Sequence, residues 1–568
     1  MEARTKLLLL MGMIVIASFG THKLISWVSH SAKKNPHIIL IVVDDMGWND
    51  VSFHGADEIP TPNIDALAYS GVILNRHYTL PICTPSRSSL MTGRYAIRDG
   101  MQGWPLGGGE PRGVPLNITL LPEYLRRLGY STHLVGKWHL GYMTKDYTPT
   151  RRGFDTFYGC YNGWITYFSH LHFQKVADDL PLISGYDLHR DKPETLKPEY
   201  DYNYMTDLIT DEAVRIIKDN GNKKSIFMEI SHVAVHASEG NDTLEVRNMT
   251  EIDESFPHIK DISRRKYAGM MKAMDESIGQ VMKALSDANM LENSIIIFMS
   301  DNGGPTIGLY ENTASNYPLR GMKQTLFEGG VRSAACIFSN LIKFPSRVSN
   351  GLIHLVDWLP TLYVAAGGKI EDLKDIDGVN QWPTLVNGQE SPRKSVLLNI
   401  DEVRHAESAV IGHHKLIRGT EVDNNDYYGT NGNDASYPRY RVESALSSPT
   451  GSVIKQLPNF KFPSTSEAMG MRRKSAIKCH PHTNHPKCII SHCLFDIEND
   501  PCETQDLSGK HPEVVESLQS FIHDYRLVMM KQTNAPHDPC SNPKYFNGTW
   551  MPWREIHIPN DPRPTKCK

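Results

Sequence analysis

Four short stretches hold most of the chemistry available to this chain: Asp44-Asp45, Cys83-Thr84-Pro85-Ser86-Arg87, Gly136-Lys137-Trp138-His139 and Asp301-Asn302-Gly303-Gly304. Adjacent carboxylates repel one another and are costly to bury unless a cation neutralises them. Asp and Asn offer only oxygen, which suits a hard divalent ion, Ca2+ or Mg2+, better than zinc. Pro85 and Ser86 suit the first turn of a helix running through Met91 and ending at Gly93. The start of such a helix presents unpaired N–H groups and the positive end of its dipole, a setting for an anion. Arg87 adds a forked donor for that anion's oxygens. Lys137 and His139 stand two apart, so both face one site only if the backbone leaves regular strand geometry; Gly136 and Gly141 allow this.

These stretches follow runs that read as buried strands. His37–Val43 is continuously apolar and rich in β-branched residues, the pattern of a strand covered on both faces, and it ends in Asp44-Asp45. Similar runs recur at Ser131–Val135, Ser225–Ile230 and Ser294–Met299, preceded by helix-like stretches at Leu120–Leu128, Tyr204–Ile217 and Tyr267–Leu285. The alternation predicts an α/β fold with a large, mainly parallel sheet flanked by helices. Ligands bind such sheets at the carboxyl ends of their strands, where Asp44-Asp45, Lys137 to His139, His232 to His236 and Asp301-Asn302 all fall. Beyond about residue 400 the pattern changes to short strands (Ala409–Ile411, Lys415–Ile417) and a last helix near Pro512–Met529, with 420–490 reading as partly loop. The expected organisation is a leader at 1–20, a catalytic domain at 35–400 and a smaller, cysteine-rich α+β subdomain at 401–568.

Sixty basic against 64 acidic residues, net charge −4, exclude the basic footprint of a nucleic-acid binder. Arg4 and Lys6, the apolar run Leu7–Ala17, then Ser18 and Gly20 read as a secretory signal. That run is shorter than the roughly 20 apolar residues a membrane span needs, so no stable span is expected after cleavage. Asn117, Asn241, Asn248 and Asn547 begin glycosylation sequons. Of nine cysteines, Cys479, Cys488, Cys493, Cys502, Cys540 and Cys567 cluster late, which predicts disulfides whose pairing stays open. Cys336, in the apolar run Ser333–Phe338, reads as a buried free thiol.

Cys83-Thr-Pro-Ser-Arg-Ser-Ser-Leu-Met-Thr-Gly-Arg94 and Gly129-Tyr-Ser-Thr-His-Leu-Val-Gly-Lys-Trp-His-Leu-Gly141 resemble the two signature blocks of the type I sulfatases. The likeness runs from Pro36 to the end of the chain. Arg151-Arg-Gly-Phe-Asp-Thr156, Pro318-Leu-Arg-Gly321, Glu328-Gly-Gly-Val-Arg332, Asp357-Trp-Leu-Pro-Thr361 and Leu494-Phe-Asp-Ile-Glu-Asn-Asp-Pro501 look most like the arylsulfatase B, I and J group.

The resemblance implies an alkaline-phosphatase-like fold and hydrolysis of sulfuric esters. It implies one Ca2+ held by Asp44, Asp45, Asp301 and Asn302, with Cys83 also near the ion. Cys83 would be oxidised to formylglycine by the formylglycine-generating enzyme during maturation. One hydroxyl of the aldehyde hydrate would attack sulfur, and the other would lose its proton to His139 and expel sulfate. Arg87 and Lys137 would steady the hydrate; Lys323 and His236 would hold the sulfate and protonate the leaving oxygen. The family reads Val-His-x-Pro where this chain has His232-Val-Ala-Val-His236-Ala, so His232 stays open as the alternative. The implied substrate is a sulfated saccharide, such as N-acetylgalactosamine 4-sulfate of glycosaminoglycans, or an aryl sulfate, met in the lysosome or outside the cell. The loop Gly103–Arg112 lacks the cysteines that arylsulfatase B carries there, so the resemblance does not carry substrate preference over. The alternatives are a phosphatase or phosphonate hydrolase of the same superfamily, disfavoured by the intact Cys83 motif, and an inactive secreted binder of sulfated glycans, disfavoured because every expected catalytic position is filled.

Overall fold

The computed structural model describes residues 34–176, 182–240, 242–419, 426–479, 485–554 and 563–567; the leader at 1–20 and the sequon Asn241 lie outside them. Nine strands form the main sheet: β1 (His37–Val43), β2 (Val72–Leu74), β3 (Ser131–Gly136), β4 (Thr156–Gly159), β5 (His189–Asp191), β6 (Ile226–Ser231), β7 (Ser294–Ser300), β8 (Ala335–Ser339) and β9 (Arg347–Ser349). They lie in the order β9-β2-β8-β7-β1-β6-β3-β4-β5. The block β7-β1-β6-β3-β4 is parallel, while β8 and β5 run antiparallel to their neighbours.

The main sheet is covered on both faces, so β1 can be apolar at every position: all seven of its residues are buried. Ile39, Ile41 and Val43 pack under α1 (Pro62–Ser70), α4 (Met205–Asn220) and α5 (Ile262–Asp287). Ile38, Leu40 and Val42 point the other way, under α2 (Cys83–Thr92), α3 (Leu121–Arg127) and α6 (Trp358–Ala365). The register aligns the strand ends: Val43 pairs with Ser300, Val42 with Ser231, and Gly136 with Ser231. Asp44, Asp301, His232 and Lys137 are thus each the first or second residue beyond one common edge.

The segment expected to be partly loop contains three helices, α7 (Val442–Leu446), α8 (Pro449–Lys455) and α9 (Thr465–Ser475). Val442, Ala445, Ile454, Ala468 and Met471 join the core under α1 and α5. Their apolar residues come one or two per turn, so no long run announces them. A second sheet of antiparallel strands, β10 (Ser395–Asp401), β11 (Ala406–Ile411), β12 (His414–Arg418) and β13 (Cys493–Asp496), packs Leu397, Ile400, Ala409, Leu416 and Leu494 against Leu518 and Ile522 of α10 (Pro512–Leu527). Near the end of the chain, Trp550 and Trp553 return to the main-sheet core and are fully buried.

Disulfides join Cys479 to Cys502, Cys488 to Cys493 and Cys540 to Cys567. Cys336 is the buried free thiol expected, and Cys160 is a second. Asn117, Asn248 and Asn547 are exposed, as carriers of a glycan must be. Among the described residues no helix is long and apolar enough to cross a membrane.

Candidate active site

Cys83 is the first residue of α2, and Gly93 closes that helix with φ +66°, a left-handed cap. Its Sγ lies 3.5 Å from Asp44 Oδ1, and it is 2% exposed. Burial pushes its thiol well above the ordinary range, so as plain cysteine it is a poor nucleophile. One ligand atom each from Asp44, Asp45, Cys83 and Asp301 lies within 4.8 Å of the others.

Three cations answer the three carboxylates. Lys137 Nζ donates to Asp44 Oδ2 at 2.6 Å, and Lys323 Nζ to Asp45 Oδ2 at 2.6 Å. Arg87, one turn beyond Cys83 on α2, donates from Nε to Asp301 Oδ2 at 3.0 Å and from Nη1 to Ser231 Oγ at 2.5 Å. Burial alone would raise the Asp44 carboxyl, but Lys137, His236 and Arg87 together hold it below its usual range. Burial and the nearby Asp44 charge push Asp301 up.

The backbone after β3 leaves strand geometry as the glycines allowed. Gly136 has φ +113°, His139 +58° and Gly141 +105°. A Cβ on Gly136 would stand 1.9 Å from Ser231 O, so only glycine fits there. The result turns Lys137 toward Asp44 and leaves the His139 ring beside Gly163. His139 Nε2 lies 2.9 Å from Leu106 O and must donate to it, which leaves the Nδ1 lone pair free; that atom is buried without a partner. Burial, then the Lys137 charge, keeps this imidazole neutral far below its ordinary pKa. Leu106 belongs to the loop 103–112, which also ties into α2 through Leu106 N and Thr84 Oγ1 at 3.1 Å.

The structure separates the two open histidines. His236 Nε2 accepts from Lys323 Nζ at 3.3 Å and lies 3.3 Å from Asp45 Oδ2. Its Nδ1 is 2.5 Å from Ala237 O and donates there, and burial lowers the ring's pKa. His232 follows Ser231 and takes the opposite face of the sheet, with Nε2 3.3 Å from Ser277 Oγ on α5.

Asn302 decides whether a hard cation fits. Its Nδ2 donates to Asp45 Oδ1 at 2.6 Å, while its Oδ1 is buried with no partner. An amide oxygen left bare beside Asp44, Asp45 and Asp301 is the donor set of an oxygen-loving divalent ion. With three carboxylates matched by Arg87, Lys137 and Lys323, such an ion would leave the site positive and attractive to an anionic ester.

Four contributors carried no sequence signal strong enough to name them. Ser231 steadies Arg87. Asn312 donates from Nδ2 to Asp45 O at 2.9 Å and to Val235 O at 3.0 Å. Glu229 is buried on β6 near Arg87, and its carboxyl is pushed up to about 7 by burial. Trp164 packs against both His139 and His236. Of these, only Ser231, a polar residue closing an apolar run, could have been picked out from its setting.

A fold of this topology with a carboxylate, lysine and histidine cluster at the strand ends defines a hydrolase of anionic esters. The sulfatase family model matches residues 36–368, and the chain belongs to that family: it is a sulfatase, hydrolysing sulfate esters. It is 35% identical to arylsulfatase J of Mus musculus over 525 residues, covering 91% of this chain and 80% of that protein. It is 30% identical to N-acetylgalactosamine-6-sulfatase of Homo sapiens over 396 residues, 68% of this chain and 72% of the relative. The crystal structure of Ps i-CgsB in complex with k-i-k-neocarrahexaose superposes with a TM-score of 0.65 at 26% identity, covering 89% of this chain and 96% of the other.

Proposed function

We propose that this sulfatase removes sulfate from a sulfated carbohydrate, N-acetylgalactosamine 4-sulfate of glycosaminoglycans, using a formylglycine made from Cys83 and one Ca2+. The observation that carries this reading is the meeting of Asp44, Asp45, Cys83 and Asp301 within 4.8 Å beside the bare Oδ1 of Asn302. The hydrated aldehyde would supply the hydroxyl nucleophile that a buried thiol cannot. The cation, held by Asp44, Asp45, Asp301 and Asn302, would supply Lewis acidity and orient sulfate oxygens.

The chain's own residues do the rest. Arg87, anchored by Asp301 and Ser231, and Lys137, anchored by Asp44, orient the oxygens at position 83. His139, neutral with Nδ1 free, is the base that takes a proton there. Lys323 and His236, already hydrogen-bonded to each other, face the leaving oxygen and share the proton it needs. The exposed sequons and the disulfides support maturation in the secretory pathway, where the formylglycine-generating enzyme would act, and delivery to the lysosome or the exterior.

Purified protein should release sulfate from p-nitrophenyl sulfate and from N-acetylgalactosamine 4-sulfate, and a peptide mass should show an aldehyde at position 83. Full activity in the Cys83→Ala protein would sink the mechanism.

A further inference from the structure

The cations and carboxylates account for one side of the site; the other side is aromatic. The Trp164 indole lies 6.1 Å from the His236 ring, parallel within 5°, and 6.3 Å from the His139 ring, edge-on at 86°. It thus touches the histidines assigned to both halves of the reaction. Tyr310 tilts against Trp164 at 4.8 Å and against His236 at 5.4 Å, with Lys323 Nζ 5.9 Å from its ring centre.

Tyr310 reaches this place from a left-handed backbone, φ +59°, which a tyrosine rarely adopts. Its neighbours Ile307 and Leu309 face outward, 45% and 58% exposed. Glu239, three residues past His236, brings its carboxyl up to the Trp164 indole and Tyr310 hydroxyl. Its Oε2 is buried with no hydrogen bond of ordinary geometry. A buried acceptor without a partner is costly, and one beside a reaction centre is suited to a donor that arrives with the substrate.

We infer that Trp164, Tyr310 and Glu239 form the wall that receives the sugar carrying the sulfate. This rests on the function proposed above, in which the leaving oxygen sits at Lys323 and His236, the pair these residues border. The Tyr310 ring packs on the apolar C–H face of a pyranose, backed by the buried Trp164 indole. Glu239 Oε2 accepts from a hydroxyl or acetamido N–H next to the ester carbon. The same carboxylate repels a second anion at that position, so the wall selects a monosulfated hexosamine and rejects its disulfated counterpart.

The test compares p-nitrophenyl sulfate with monosulfated and disulfated N-acetylhexosamines in the full-length enzyme. In Glu239→Gln, kcat/KM on the monosulfated sugar should fall at least tenfold, and the disulfate-to-monosulfate ratio should rise at least tenfold. Both sugar rates are read against the aryl sulfate rate of the same variant, so that the ratio reports the wall alone. Tyr310→Phe, which removes one hydroxyl, should raise KM for the sugar alone. An unchanged disulfate-to-monosulfate ratio in Glu239→Gln overturns the wall, as does wild-type turnover of the aryl sulfate without any of the sugar. Failure of the wild-type enzyme on every ester, with the aldehyde present at position 83, overturns the proposed function itself.

Discussion

Lys137 and Asp44 form an ion pair, Nζ to Oδ2 at 2.6 Å, in which neither side chain reaches solvent. A pair this deep is held by geometry, and removing one member strands the other. Lys137→Ala should therefore lower stability by ~3–5 kcal/mol and kcat by at least ~100-fold. Chemical denaturation read beside turnover of p-nitrophenyl sulfate checks both. A variant as stable as the wild type would mean that Asp44 finds another partner.

His236 and His232 should respond differently in turnover. His236→Ala removes one of the two acceptors of the Lys323 ammonium and should abolish most turnover, with a loss of thermal midpoint like that of any buried ring. His232→Ala empties a packed position against Ser277 and should lower the midpoint while leaving kcat within a few-fold. Equal losses of turnover in the two proteins would refute the placement.

Chelation should remove activity and stability together, because Asp44, Asp45 and Asp301 then rely on Arg87, Lys137 and Lys323 alone. Adding back Ca2+ at about 100 times its Kd should restore ~2.7 kcal/mol. Elemental analysis should find one ion per chain, and none in Asp301→Asn with Asn302→Ala. Zinc restoring activity better than Ca2+ would contradict the oxygen-only donor set.

Glu229 sets a pH dependence separate from catalysis. Its folded carboxyl titrates at about 7 against 4.5 for the free group. A raised acid binds its proton more tightly in the folded chain, so stability falls as pH rises from 4.5 through about 7. Glu229→Gln should thus gain thermal midpoint over the wild type at pH 8, by up to ~3 kcal/mol in stability, and gain little at pH 4.5. Melting curves of the two proteins that stay parallel across this range would exclude Glu229 as the source.

The main sheet was legible because β1, β6 and β7 are buried on both faces and so carry unbroken apolar runs. The clustered carboxylates and the Lys137–His139 pair were legible because they follow those runs directly. The choice between His236 and His232 was not, since it turns on the alternation of β6: Ser231 faces α2, which sends His232 to α5. Trp164 and Asn312 meet the site only through tertiary contacts, with His236 and with Asp45, and Glu239, three residues past His236, sits in a loop whose sequence does not mark it. Helices α7 to α9 were missed for a related reason: each buries one or two side chains against a surface that exists only once α1 and α5 are docked.

Trp550 and Trp553 belong to the same buried cluster as Ile38, Leu40 and Val42 of β1, although more than 180 residues separate them from Trp358, the first residue of α6 in that cluster. Trp550 Nε1 donates to His172 O at 3.1 Å, and the Trp550 and Tyr186 backbones are joined at 2.9 Å. Losing either indole would leave a hole worth ~3–5 kcal/mol in the catalytic half. A stop between Lys323 and Trp550 would yield a polypeptide that holds every residue named in the active site and lacks both indoles that fill the core on its side of the sheet.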